Sequence, residues 1–309
     1  MSPTRAATWS RRLIWPPTPP ASRFPSAVAV TPDGKTAFVA NYSSNTVTPI
    51  AVATNTADTP ITVGTSPNGI AITPDGATAY VTNQISHTVT PIAVATNTPG
   101  YPITVGGPGL GGIAITPNGT TAYVTSYGGN GTVTPIAVAT NAPGSPISLP
   151  AGSNPGRIAI TPDGATAYVT TTHNGGTVTP IDLATNTPGN PIPAASNPVG
   201  IAITPDGATA YATNESNSTV TPIAVATNTP GRPISLPAGT GPWGIAITPT
   251  PQITSTSTQL NVEPPTPAPS GTTETLTATV TPSAAGSVQF TNGTTPSVTQ
   301  WPWSTAPRR

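Results

Sequence analysis

Apolar and polar positions alternate along this chain in short runs, and nowhere does an i, i+3, i+4 stripe extend far enough for a helix. Between residues 70 and 106 the runs are easily separated. Ile70–Thr73 leads into Pro74-Asp75-Gly76, where Pro presets φ and Gly is free to take a positive φ. Ala79–Asn83, a variable turn and Thr88–Ala95 follow, and Thr96-Asn97-Thr98-Pro99-Gly100 then leads into Ile103–Gly106. The pattern predicts four antiparallel strands and no helix.

The same pattern recurs. Counted from the Thr of the T-P-D-G element, copies start at Thr31, Thr73, Thr116, Thr161, Thr204 and Thr248, at spacings of 42, 43, 45, 43 and 44 residues. A twisted sheet this small has two apolar faces and can bury them only against neighbouring sheets. The period therefore predicts an all-β chain, a β-propeller of about five complete four-stranded blades with an incomplete sixth. Trp243–Thr248 is expected as the inner strand of that sixth position, since Pro249-Thr250-Pro251 replaces the usual turn and no aromatic strand follows.

The second strands read Ala37-Phe38-Val39-Ala40-Asn41, Ala79-Tyr80-Val81-Thr82-Asn83, Ala122-Tyr123-Val124-Thr125-Ser126, Ala167-Tyr168-Val169-Thr170-Thr171 and Ala210-Tyr211-Ala212-Thr213-Asn214. Over residues 24–249 they resemble the YVTN β-propeller repeat of bacterial and archaeal surface and periplasmic proteins. The resemblance implies a propeller and, because propellers host unrelated functions, little about activity. The chain departs from that pattern at T-P-I-A-V, where the family more often has a β-branched residue and an Asp; only Ile181-Asp182 keeps the Asp. Pro49, Pro91, Pro135, Pro180 and Pro222 cannot donate to a ladder, so they are expected at bulges or opposite an outer strand too short to pair.

After residue 250 the text changes. Segments 254–262, 274–282 and 286–290 resemble the opening strands of a bacterial Ig-like repeat, and about 40 residues of a sandwich that needs about 100 imply a truncated Ig-like β segment over 250–296. No strand pattern is expected over 297–309, and 1–23 reads as a disordered or non-native segment. That N-terminal stretch has no apolar run beyond Leu13-Ile14-Trp15, too short for a secretory signal. The chain is thus expected to be either cytoplasmic or a piece of an extracellular or envelope protein whose start lies upstream.

Composition narrows the partners. Charged residues are 6% of the chain and net charge is zero, which argues against nucleic-acid binding through phosphates and against membrane insertion or a polybasic membrane address. There is no cysteine, hence no disulfide, thiolate metal site or cysteine nucleophile. Pro and Gly, 43 and 30 residues, would suggest disorder without a period; here the period places most of them at turns.

Catalytic chemistry is sparse. Asp33, Asp75, Asp163 and Asp206 occupy one turn position, where Asp caps its own backbone. His87 and His173 sit two blades apart without an acidic cluster, so no metal site is expected. Lactonase-type propellers and those associated with haem or copper use His, Glu and Arg clusters that this chain lacks. We expect no catalytic residues, cofactor or metal.

Two sets of turns differ from copy to copy, those between second and third strands and those between blades, and in a propeller both open on one face. Tyr42, Gln84, His87, Tyr127, Glu215 and Trp243 on that face are the candidate ligand-binding residues. The sequence therefore favours a non-catalytic interaction scaffold for a protein or glycan, with a lactonase-like hydrolase as the alternative and self-association through an open propeller edge as a further expectation.

Overall fold

The computed structural model describes residues 25–129, 131–172 and 175–247, together with four two-residue strands between 287 and 302. Two units are present, residues 1–249 and 250–309.

The first unit is a β-propeller arc of five sheets, each ordered from its inner strand outward and each antiparallel throughout. In the second blade the inner strand is Pro67–Ile72, followed by Thr78–Asn83 and Thr88–Ala93. The outer strand, expected as one run at 103–106, is two pieces: Thr98–Pro99 pairs with one end of the third strand and Ile103–Thr104 with the other. The registers of the two pieces differ by one residue, and the slip falls opposite Pro91. The cause is backbone chemistry. The Pro91 carbonyl accepts from Gly100 N at 2.7 Å, so the position where Pro91 would donate faces the edge strand, which bends away there instead. The same bond recurs at Pro49, Pro135, Pro180 and Pro222, and a broken outer strand protects each rim from edge-to-edge pairing.

The inner strand is longer than the sequence pattern suggested because a register shift beside Gly69 lets Pro67 pair with Asn83. On one face of the arc, each Thr-Pro-Asp-Gly turn is tied by its own side chains. Thr73 Oγ1 donates to Asp75, whose Oδ1 also accepts from Ala77 N, and the turn glycine at φ +73° lies against Pro32 of the preceding blade. These bonds hold the carboxyls of Asp75, Asp163 and Asp206 below their ordinary value of 3.8, and that of Asp33 at about 2.

The core lies between blades. Tyr80, Val89 and Ile103 of the second blade pack on Ile113, Val124 and Ile136 of the third, and the same set repeats around the arc. Each buried tyrosine also reaches forward one blade: the hydroxyls of Tyr80, Tyr123 and Tyr168 donate to Oδ1 of Asn141, Asn186 and Asn228 at 2.7, 3.0 and 2.6 Å. Burial raises the pKa of all three phenols. The accepting asparagines sit at φ near +55°, a left-handed conformation that Asn tolerates at the Ala-Thr-Asn turn.

At the sixth position, among the described residues, only 241–247 is present, and it joins no ladder. The expected inner strand at 243–248 is corrected as far as residue 247: among the described residues 243–247 finds no ladder partner, and 243–245 lines the axis. Its carbonyl at Trp243 lies where a Cβ on Gly200 would come to 2.7 Å, which places it against the fifth blade.

In the second unit, Ser287–Val288 pairs with Trp301–Pro302 and Thr291–Asn292 with Thr295–Pro296. The pairing at 301–302 falls where the sequence carries no strand pattern; a two-residue bridge is too short to need alternation. The expected strands at 254–262 and 274–282, and the segment 1–23, lie outside the described residues.

Candidate functional site: the mouth of the central channel

Both variable sets of turns bind one another and so share a face. Gln84 N donates to Ser66 O, Ser66 N to Asn45 Oδ1 and Thr65 N to Ser86 Oγ. At the centre of this face the inner strands of all five blades and residues 243–245 surround a channel. It encloses a cavity of about 300 Å³, lined by the Ile-Gly pairs of the inner strands together with Val28 and Ile245. Above it lies a vestibule of about 170 Å³, whose walls include Tyr127, Trp243, Thr172 and Asn68. Arg157, Gly112 and Trp243 line both.

Arg157 occupies the position filled by Gly69, Gly112, Gly200 and Gly244 in four of the other copies and by Ala27 in the first. Glycine suits that position because inner strands converge on the axis; a Cβ on Gly69 would meet Gly111 O at 2.8 Å. The junction after the fourth blade differs from those before it. In the second and third blades Thr82 and Thr125 Oγ1 each donate to a carbonyl of the next blade, Gly111 O and Gly156 O, both at 2.7 Å. All three hydroxyls also accept from a backbone N–H of their own blade, Gly69, Gly112 and Arg157, but Thr170 Oγ1 donates to its own blade as well, to Arg157 O at 3.3 Å. The Arg157 guanidinium then crosses the channel to the first and second blades, donating from Nη1 to Asn68 O at 3.2 Å and from Nη2 to Ser26 O at 3.3 Å and Asn68 Oδ1 at 3.5 Å. All three acceptors are uncharged, and burial pushes the guanidinium pKa down.

Four of the six candidate residues come together in two pairs on this face. Gln84 Nε2 donates to Tyr127 Oη at 2.5 Å, and Trp243 Nε1 donates to Glu215 Oε1 at 2.9 Å, while Asn197 Nδ2 donates to Glu215 Oε2. Tyr127 and Trp243 thereby flank the vestibule. Tyr42 and His87 line neither cavity; Tyr42 is half-buried in the first blade, and His87 is an exposed turn residue at φ +55° whose carbonyl accepts from Val105 N. His173 lies outside the described residues. Among the described residues no three His, Cys, Asp or Glu side chains cluster as metal ligands would, and no helix is long and apolar enough to cross a membrane. Arg157 is the residue that sequence reasoning passed over. Its signal was a glycine replaced by arginine at one inner-strand position.

With this geometry the fold can be placed among known proteins. Residues 10–101 match the family model described as lactonase, 7-bladed β-propeller. Hydrazine synthase from Kuenenia stuttgartiensis is similar over 73% of this chain and 71% of its own, at 27% identity and a TM-score of 0.67. Virginiamycin B lyase from Staphylococcus aureus is similar over 71% of this chain and 73% of its own, at 19% identity and a TM-score of 0.62. No curated protein matches the chain. The class is thus a β-propeller protein, all-β and built of five blades with a partly filled sixth position.

Proposed function

We propose that this propeller is a non-catalytic interaction scaffold of the YVTN kind, working in the cell envelope or outside the cell, which binds a protein or glycan through its variable face. The observation that carries the reading is the convergence of Gln84–Tyr127 and Glu215–Trp243 around the channel mouth. Aromatic side chains fixed by polar partners are common among interface hot spots, and the five blades of the first unit frame them. The Ig-like reading of 250–296 suits the same setting. The test is a panel of glycans and envelope proteins offered to the wild-type chain and to Gln84→Ala/Tyr127→Ala/Glu215→Ala/Trp243→Ala. A ligand lost by that variant and kept by Asp75→Asn, on the opposite face, supports the reading; a ligand with the reverse dependence overturns it.

The lactonase family match and the likeness to a synthase favour a second reading, a lactonase-like hydrolase. Glu215 is the carboxylate nearest to such a role at the mouth, although both of its oxygens are engaged. Hydrolysis of any member of a γ- and δ-lactone panel, lost in Glu215→Gln, would replace the scaffold reading by the hydrolase.

A further inference from the structure

The side chains lining the vestibule and the channel beneath it carry one formal charge, that of Arg157. The described ion pair of the propeller, Lys35 with Asp33, is on an exposed turn. A guanidinium has five N–H donors. Three are spent on uncharged oxygens, two of those bonds at 3.3 Å or longer. Arg157 is half-buried; a charge partly withdrawn from water against neutral partners is costly, and an anion offsets that cost better than a carbonyl does.

The surroundings narrow the anion. One cation neutralises one negative charge, whereas a phosphate monoester brings about −1.5 to −2 and would leave an excess beside the carbonyls of Ser26 and Asn68. The two spaces, about 170 and 300 Å³, fall at or below the small end of ligand pockets, and their walls are mostly glycine, isoleucine, proline and aromatic rings. Tyr127 and Trp243 line the vestibule together with Arg157, and their polar ends are already held by Gln84 and Glu215.

We propose that the channel mouth is a binding site for a small monocarboxylate with a ring-sized body, the carboxylate pairing with Arg157 and the ring lying against Tyr127 and Trp243. This deepens the variable-face reading and rests on it for the location of the site. Arg157 is the anchor, and Tyr127 and Trp243 set the shape of what is accepted.

The probe is benzoate, with benzamide as its uncharged isostere and inorganic phosphate as the competing anion, titrated into the full chain by calorimetry and ligand-observed NMR. Benzoate is expected to bind at least about tenfold more tightly than benzamide or phosphate, and Arg157→Met to weaken benzoate by at least about tenfold while leaving benzamide unchanged. Arg157→Lys, which keeps the charge and loses the planar fork, should fall between wild type and Arg157→Met. Equal binding of benzoate and benzamide by wild type overturns the proposal whatever the variants do, as do phosphate binding more tightly than benzoate and no benzoate binding tighter than millimolar. The two readings can also fail separately. A glycan or protein that needs Gln84 and Glu215 but ignores both Arg157→Met and benzoate leaves the scaffold reading standing and sinks this one. Benzoate binding that needs Arg157 in a chain with no variable-face partner does the opposite.

Discussion

At the scale of single residues, the tyrosine hydroxyls decide how firmly one blade holds the next. Tyr80, Tyr123 and Tyr168 each grip an asparagine one blade ahead, but the first blade has Phe38, and Asn97 Oδ1 opposite it is buried without a partner. An unsatisfied buried acceptor costs more than a made hydrogen bond returns. Phe38→Tyr should therefore stabilise the protein by about 1 kcal/mol, read as a higher urea midpoint at unchanged slope. Conversely, Tyr123→Ala removes a ring buried between two blades and should cost about 3 kcal/mol or more; a loss below about 0.5 kcal/mol would contradict the packing described. The aromatic positions were legible in the sequence because their phase is fixed while neighbouring turns vary. Arg157 was not, because a lone cation carries no period, and its importance depends on a channel that exists only once five strands converge.

Secondary-structure elements show where local chemistry overrides pattern. The alternation of Ile103–Gly106 reads as a single outer strand, yet only Ile103–Thr104 pairs, and a second edge piece, Thr98–Pro99, falls in the expected turn on the other side of the register slip opposite Pro91. The prolines themselves were visible; which side of the strand their missing donor would face was not, since that depends on register. The Thr-Pro-Asp-Gly turns were legible because each is closed by its own side chains. Their carboxyls titrate below 3.8 when folded, so the stability they contribute is complete above the ordinary carboxylate range and is lost as pH falls from about 4 toward the folded values, about 2 for Asp33. The third blade supplies the control: Asn118 Oδ1 accepts from Thr116 Oγ1 and Thr120 N in the same geometry and does not titrate. Replacing Asp33, Asp75, Asp163 and Asp206 together by Asn should flatten the fall in melting temperature between pH 4 and pH 2.

Across the first unit, the arc is built of one junction repeated, and among the described residues its two ends are halves of that junction without a facing blade. Ile61, Ile103, Ile147 and Ile192 are at most 6% exposed, whereas Ile234 at the same position of the fifth blade is 49% exposed; Val28 and Val30 on the first blade are 58% and 52% exposed. Tyr211, which would reach into a sixth blade, is only half-buried. Apolar surface of this kind on a monomer usually finds a partner. We expect the chain to self-associate in sedimentation velocity, and Val28→Thr/Val30→Thr/Ile234→Thr to shift it toward monomer; a wild-type monomer at all concentrations would contradict this. The count of complete blades was legible from the repeat. The state of the sixth was not, because Trp243–Ile247 has the composition of an inner strand, and pairing requires a neighbour that composition does not report.

Arg157, the one arginine on the axis among the described residues, has a consequence of another kind. Repeats that are nearly identical build a funnel with almost rotational symmetry, and a symmetric funnel gives a guest several equivalent ways to sit. One glycine exchanged for Arg157, with its head group fixed on the side of the first and second blades by Ser26 and Asn68, removes that degeneracy. The channel acquires a front and a back around its own circumference, so that any guest with a polar end is oriented on entry by a fold whose blades are almost interchangeable.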